Sequence, residues 1–143
     1  MRITFFIAVL SLYANAFAIT PYAVMDSVDL WLQRDETLIG SERLGDVRRV
    51  LERARTCGPQ WKAAAEIGIT SGSLVASASP EDERRFADRA RVLRDLALTY
   101  GFAEWKVRAV IDPNGRHVSD EMRRKASTHE HYVRLFLYCA PHT

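Results

Sequence analysis

Serines and histidines are the residue types in this chain that first suggest catalysis or metal binding. A polar stretch at residues 70–79 carries serines at positions 71, 73, 77 and 79, any of which is a potential nucleophile. No G-x-S-x-G elbow surrounds them, and no histidine–acid partner is evident. We therefore predict that the chain is not an enzyme, and keep a hydrolase that uses Ser71 with His129 or His131 as an alternative.

The two histidines near the C-terminus are the best candidates for metal ligands. His129 and His131 alternate with Glu130, so an extended segment would place both imidazoles on the same side. A third ligand at a convincing spacing is missing, although His117 and His142 are present. We predict surface histidines, no metal site and no cofactor.

Cys57 and Cys139 are the two cysteines of the chain. An isolated pair in an oxidising compartment is most simply a disulfide, and two thiols without companions make a poor zinc site. We predict a Cys57–Cys139 disulfide, with two buried free thiols as the alternative.

The first residues have the features of a secretory signal. Arg2 gives a basic start, residues 3–13 form an apolar run too short to span a bilayer, and Ala16 and Ala18 make a small-x-small cleavage site. We predict a cleaved signal at residues 1–18, a single mature domain at residues 19–143 and no transmembrane segment after cleavage. The alternatives are an uncleaved anchor and a buried apolar segment.

Composition places the chain among ordinary globular proteins. It has 143 residues, 48% of them apolar and 27% charged, which suits one domain. Its formal net charge of +2 gives no electrostatic case for nucleic acid as a partner.

The clearest local signals lie in residues 79–111. Ser79 is a good N-cap, Pro80 suits the first helical position, and acidic residues follow in the first turn. The apolar face that this helix predicts comprises Phe86, Ala90, Leu93, Ala97 and Tyr100. Gly101 is a natural stop, and residues 106–111 then alternate as a strand.

Weaker patterns complete the order of elements. We predict a strand at residues 28–32, a helix capped by Ser41 and ended by Gly58, and a strand at residues 62–69. Residues 70–79 are predicted to form a surface loop. A turn at 112–115, a short helix at 119–126 and a strand at 132–139 follow, and apolar residues on both faces of that strand predict a position inside the sheet. The order βαβαβ(α)β predicts a two-layer α/β (α+β) sandwich.

Several segments of the chain resemble the OmpA-like C-terminal domain family. The resemblance is carried by the Arg89-Ala90 pair, by residues 101–107 and by the closing strand at 132–137. It implies an OmpA-like domain that binds peptidoglycan without catalysis. In that family, an arginine at the position of Arg89 holds the carboxylate of the peptide's diaminopimelate, and an aspartate at the end of the second strand holds its ammonium group.

The ligand motif of this chain departs from the family pattern. Thr70 matches, but Ser71 stands at the aspartate position and Ile69 replaces a histidine. Asp82, at the start of the long helix, is a substitute carboxylate. The resemblance thus makes Arg89, Thr70, Ser71 and Asp82 the candidate ligand-binding residues.

We therefore expect a periplasmic or secreted protein of the Gram-negative envelope, acting as a non-catalytic binding module. Its contact with peptidoglycan is expected to be weakened or altered. The alternative is a scaffold that binds an envelope protein and does not bind the wall.

Overall fold

The computed structural model describes residues 23–36, 39–75 and 78–140, so the predicted signal at 1–18 and Ser77 lie outside the described residues. One four-stranded sheet has the order β1-β4-β2-β3. The strands are β1 (Ala23–Leu32), β2 (Ala65–Ser73), β3 (Val107–Asp112) and β4 (His131–Cys139). Strand β4 runs antiparallel to both neighbours, and β2 and β3 are parallel. The interior position predicted for the last strand is confirmed.

The first three helices cover one face of this sheet and give the predicted two-layer α/β architecture, whereas the last helix packs against Tyr132 on the other face. They are α1 (Ser41–Glu52), continued by a 3-10 turn (Arg53–Cys57), then α2 (Trp61–Ala64), α3 (Pro80–Tyr100) and α4 (Asp120–Ala126). The apolar faces of α1 and α3 pack on alternate residues of the strands. Buried members of this core include Val47, Leu51, Ile67, Ile69, Ala90, Leu93, Leu135 and Leu137.

Helix α3 begins and ends where its sequence predicts. The Ser79 hydroxyl accepts from the amide of Asp82, and the Asp82 carboxylate accepts from the amide of Ser79, which together form a capping box. Gly101 ends the helix in the left-handed region, with a φ of 115°.

The predictions for β2 and its surroundings were wrong at both ends. Residues 62–64 belong to the short helix α2, and the strand begins at Ala65. It continues through Ser73, where a surface loop was predicted, and Ser71 and Ser73 are buried. Pairing with β3 on one side and β4 on the other satisfies the backbone here, so this end stays in the sheet despite its serines and glycine.

Two smaller boundary predictions also differ from the structure. Gly40 takes the extended N-cap conformation of α1, so Ser41 is the first helical residue and no side chain caps the helix. Strand β1 starts at Ala23 rather than residue 28, because its early residues pair with the end of β4.

The predicted disulfide joins Cys57, after α1, to Cys139 at the end of β4, with the two Cα atoms 5.5 Å apart. Both cysteines are buried, so the bond fastens the helical layer to the sheet. Among the described residues, no helix combines the length and apolar character needed to cross a bilayer.

Candidate functional site

Three ionisable side chains are buried together at one end of the sheet. Asp82 and Arg89 come from the first half of α3, and His131 is the first residue of β4. Their exposed fractions are 1%, 2% and 2%. Because burying a charge without partners is costly, each of these groups must be matched by a neighbour. We call Asp82, Arg89 and His131 the buried triad.

The Arg89 guanidinium is held from two directions. Its Nη1 donates to Nδ1 of His131 at 2.9 Å, and its Nη2 donates to the main-chain carbonyl oxygens of Gln33, at 3.2 Å, and Glu36. Burial lowers the pKa of Arg89 from its ordinary value. The loop that follows β1 therefore takes up guanidinium donors that a ligand carboxylate would need.

His131 is neutral and has a defined tautomer. A guanidinium only donates hydrogen bonds, so Nδ1 must accept and the ring proton must reside on Nε2. That Nε2 lies 3.8 Å from Oδ1 of Asp82, and the ring of Phe86 packs edge-on with centroids 4.7 Å apart. Burial, and then the charge of Arg89, lower the pKa of His131 to about 4.

Asp82 is paired with a cation from the same loop. Arg34 donates to both carboxylate oxygens, from Nε at 3.1 Å and from Nη2 at 2.7 Å, and Arg85 adds a contact at 3.3 Å. The hydrogen bonds from Arg34 hold the pKa of Asp82 well below its usual range, and the bond from the Ser79 amide acts in the same direction. The side chain of Arg34 is 53% exposed, so it lies over the carboxylate from the solvent side.

Asp82 and Arg89 are one buried anion and one buried cation, each already paired within the protein. Asp82 offers an anion and Arg89 a cation, as recognition of an ammonium and a carboxylate requires. The segment after β1 supplies the Arg34 cation to Asp82 and main-chain oxygens to Arg89. A ligand must displace these internal contacts to bind here.

Thr70 and Ser71, the other two predicted ligand residues, point to opposite faces of β2. Ser71 is fully buried on the helix-facing side that includes Ile69, and its hydroxyl has no hydrogen-bond partner among the described residues. Thr70 lies on the other face, opposite Arg134 of β4. The structure thus brings Asp82 and Arg89 together and leaves Thr70 apart from them.

The sequence did not predict that Arg34 pairs with Asp82 or that His131 pairs with Arg89. Arg34 falls in a polar connection without a motif, and no local pattern links it to a residue 48 positions later. His131 has one clue, since it directly precedes the closing strand at 132–137 that carries part of the family resemblance.

One ring nitrogen of His129 and one of His131 are engaged by other groups. Nδ1 of His129 lies 2.7 Å from the carbonyl oxygen of Ala126, and Nδ1 of His131 accepts from Arg89. Ser71 bonds to neither ring within the described residues. In the same part of the chain, no group of three His, Cys, Asp or Glu side chains is arranged to hold a metal ion. His131 is buried, which corrects its prediction as a surface histidine.

Comparisons with known proteins connect the chain to others by its fold. No model of a protein family matches, and no curated protein matches by sequence. The periplasmic domain of Helicobacter pylori MotB (residues 78–256) superposes with a TM-score of 0.53 at 10% identity, over 80% of this chain and 76% of that one. The C-terminal domain of the same protein (residues 125–256) gives 0.53 at 11%, over 79% and 84%. The likeness confirms the predicted OmpA-like architecture: this chain has the fold of the MotB periplasmic domain.

Proposed function

We propose that the chain is a non-catalytic binding module of the bacterial cell envelope, with a peptidoglycan-contact site that its own residues hold closed. The OmpA-like fold supports the class of module, and the predicted signal supports a periplasmic or secreted location. The resemblance of the Arg89-Ala90 segment supports peptidoglycan as the ligand.

The chemistry of the ligand matches the two charged members of the buried triad. A diaminopimelate-bearing peptide presents an ammonium and a carboxylate, which Asp82 and Arg89 can bind respectively. Asp82 then replaces the family's aspartate, whose position is held here by Ser71. The observation that carries this proposal is the two-point pairing of Arg34 with Asp82, since Arg34 occupies the position that a ligand ammonium would take.

Closure by Arg34 and the loop after β1 explains why binding would be weak. A ligand gains its ion pairs only after breaking equivalent internal ones, so the net free energy of binding is the difference between two similar sets of contacts. Arg34 is half-exposed, so its displacement places a cation in water, whereas an uncompensated Asp82 would be strongly unfavourable.

Co-sedimentation with purified peptidoglycan tests the proposal. We would compare wild type, Arg34→Gln, Arg89→Ala and the exposed helix variant Arg91→Gln, after checking each fold by circular dichroism. Arg85 stays beside Asp82 in Arg34→Gln, so the carboxylate keeps one cation nearby.

We expect weak retention of wild type and of Arg91→Gln, stronger retention of Arg34→Gln, and loss of retention in Arg89→Ala. If all four folded proteins remain in the supernatant, wall contact is excluded and the module is a scaffold for an envelope protein. If Arg34→Gln binds no better than wild type, the closure by Arg34 is refuted.

A further inference from the structure

The sheet face opposite α1 and α3 carries a trough of about 490 Å³. Its floor follows β2 at Gly68 and Thr70, and β4 contributes a wall of Phe136 and Tyr138. The opposite wall comes from β3, whose exposed side chains there are Arg108 and Val110. We call these six residues the open-face trough.

Gly68 is required for the shape of this surface. A Cβ at this position would lie 3.0 Å from the Tyr138 ring, so the ring rests directly on the glycine backbone. The rings of Phe136 and Tyr138 lie 5.8 Å apart, and the Arg134 guanidinium covers Phe136 at 5.2 Å. The two rings, tilted by 37° to each other, present an apolar wall to the space above β2.

Charges around the open-face trough are balanced with one exception. Arg134 pairs with Asp29 through two hydrogen bonds, and Glu66 lies 3.5 Å from Nζ of Lys106. Arg108 is exposed, and no carboxylate approaches it within 4.0 Å in the described part of the chain. One uncompensated guanidinium beside an apolar wall is complementary to an anion that carries an apolar neighbour.

The length of the trough and its uncompensated charge favour an extended peptide as the occupant. From Glu66 to Thr70 the floor spans about 13 Å, the length of about four extended residues. Val110, 49% exposed, offers an apolar contact to the side chains of such a segment.

We propose that the open-face trough binds an extended acidic segment of a partner protein. A carboxylate of the segment pairs with Arg108, and a neighbouring apolar side chain packs on Phe136 and Tyr138. This site is on the opposite face of the sheet from the buried triad and goes beyond the proposed wall contact, so each can fail while the other stands.

An NMR titration of the ¹⁵N-labelled chain tests the proposal with two matched probes, Ac-Glu-Phe-Glu-Phe-NH₂ and Ac-Lys-Phe-Lys-Phe-NH₂. We expect the glutamate peptide to shift the amide signals of Gly68, Thr70 and Val110 in a saturable manner. Arg108→Gln should weaken its apparent affinity about fivefold, the size of one exposed charge pair. Arg91→Gln, an exposed arginine on α3, should leave it unchanged.

The proposal is overturned by an absence of shifts at millimolar peptide, by equal shifts with the lysine peptide, or by shifts that Arg108→Gln does not alter. Amide shifts in β3 that follow protein concentration without peptide would show that a second copy occupies the trough, which also overturns it. Peptidoglycan retention of Arg108→Gln should equal that of wild type, which separates this site from the wall contact.

Discussion

The guanidinium of Arg89 in α3 donates a 2.9 Å hydrogen bond to Nδ1 of His131 in β4, with both side chains buried. This bond joins the helical layer to the sheet at a point where each partner is ionisable. Protonation of Nδ1 would turn its acceptor into a donor facing a cation, so the contact requires a neutral imidazole. The stability of the fold should therefore respond to acid.

We expect the free energy of unfolding to fall between pH 6.5 and pH 4. The pKa of His131 is about 4 in the folded chain and about 6.5 in an unfolded one. Within this window the unfolded state binds the proton and the folded state does not, so the folded state loses on the order of 3 kcal/mol as the pH falls. Asp82 also has a lowered pKa, and its contribution is lost in more acidic solution, below about pH 4.

Urea unfolding at pH 7 and pH 4.5 measures this loss. His131→Gln should flatten the dependence on pH, whereas His129→Gln should keep the wild-type dependence. If the free energy of unfolding changes equally between the two pH values in wild type and in His131→Gln, the role of His131 in the acid response is refuted.

Asp82→Asn should destabilise the protein by about 2 kcal/mol. It removes the charge that pairs with Arg34 and weakens one half of the capping box, and part of the ion pair is discounted because Arg34 is half-exposed. Asp88→Asn is the matched control, since Asp88 forms an exposed pair with Arg91 and this variant should change stability by less than about 0.5 kcal/mol. Equal urea midpoints for the two variants would contradict the prediction.

Two buried serines of β2 should respond differently to alanine. The Ser71 hydroxyl has no partner among the described residues, so Ser71→Ala should leave the free energy of unfolding unchanged or raise it by up to about 1 kcal/mol. The Ser73 hydroxyl accepts from the amide of Val75 at 3.1 Å, so Ser73→Ala should cost about 1 kcal/mol. Thermal unfolding of both variants checks the order, and a larger loss in Ser71→Ala would indicate a partner for that hydroxyl.

The Cys57–Cys139 bond closes a separation of 82 residues and should contribute on the order of 4 kcal/mol. Replacing both cysteines by alanine should lower the urea midpoint of the protein. Dithiothreitol should lower the urea midpoint of wild type by a similar amount and leave the midpoint of the double variant unchanged. Thiol labelling of unreduced, unfolded wild type should give no signal, and reaction at both cysteines would refute the bond.

Alanine should have opposite effects on stability at two glycines, one packed against a neighbouring strand and one on an open helix surface. A Cβ at Gly72 would collide with the carbonyl oxygen of Asp112 in the neighbouring strand, so Gly72→Ala should cost several kcal/mol, about 3 or more. Gly45, in the middle of α1, has nothing within 4 Å of its added Cβ. Gly45→Ala should raise the free energy of unfolding by up to about 1 kcal/mol. A lower melting temperature for Gly72→Ala together with a higher one for Gly45→Ala would support both predictions.

Local chemistry was sufficient to predict the long helix and its limits. The ends of α3 depend on Ser79, Pro80 and Gly101, which act within one or two turns of the helix. Their effect can therefore be predicted from residues that are close in sequence. The interior position of β4 could also be predicted, because apolar side chains on both faces of a strand indicate that it has a neighbouring strand on each side. The disulfide followed from the presence of a single pair of cysteines.

The sequence by itself therefore determined the order of elements, the fold class and the pair of cysteines that forms the disulfide. The tertiary structure alone decided that Ser71 and Ser73 continue β2, because that outcome depends on pairing with β3 and β4. It alone decided that Arg34 closes over Asp82, 48 positions away. Caps and periodicity reflect contacts between near neighbours, whereas these two features depend on which distant segments the packed sheet and helices bring within hydrogen-bonding distance.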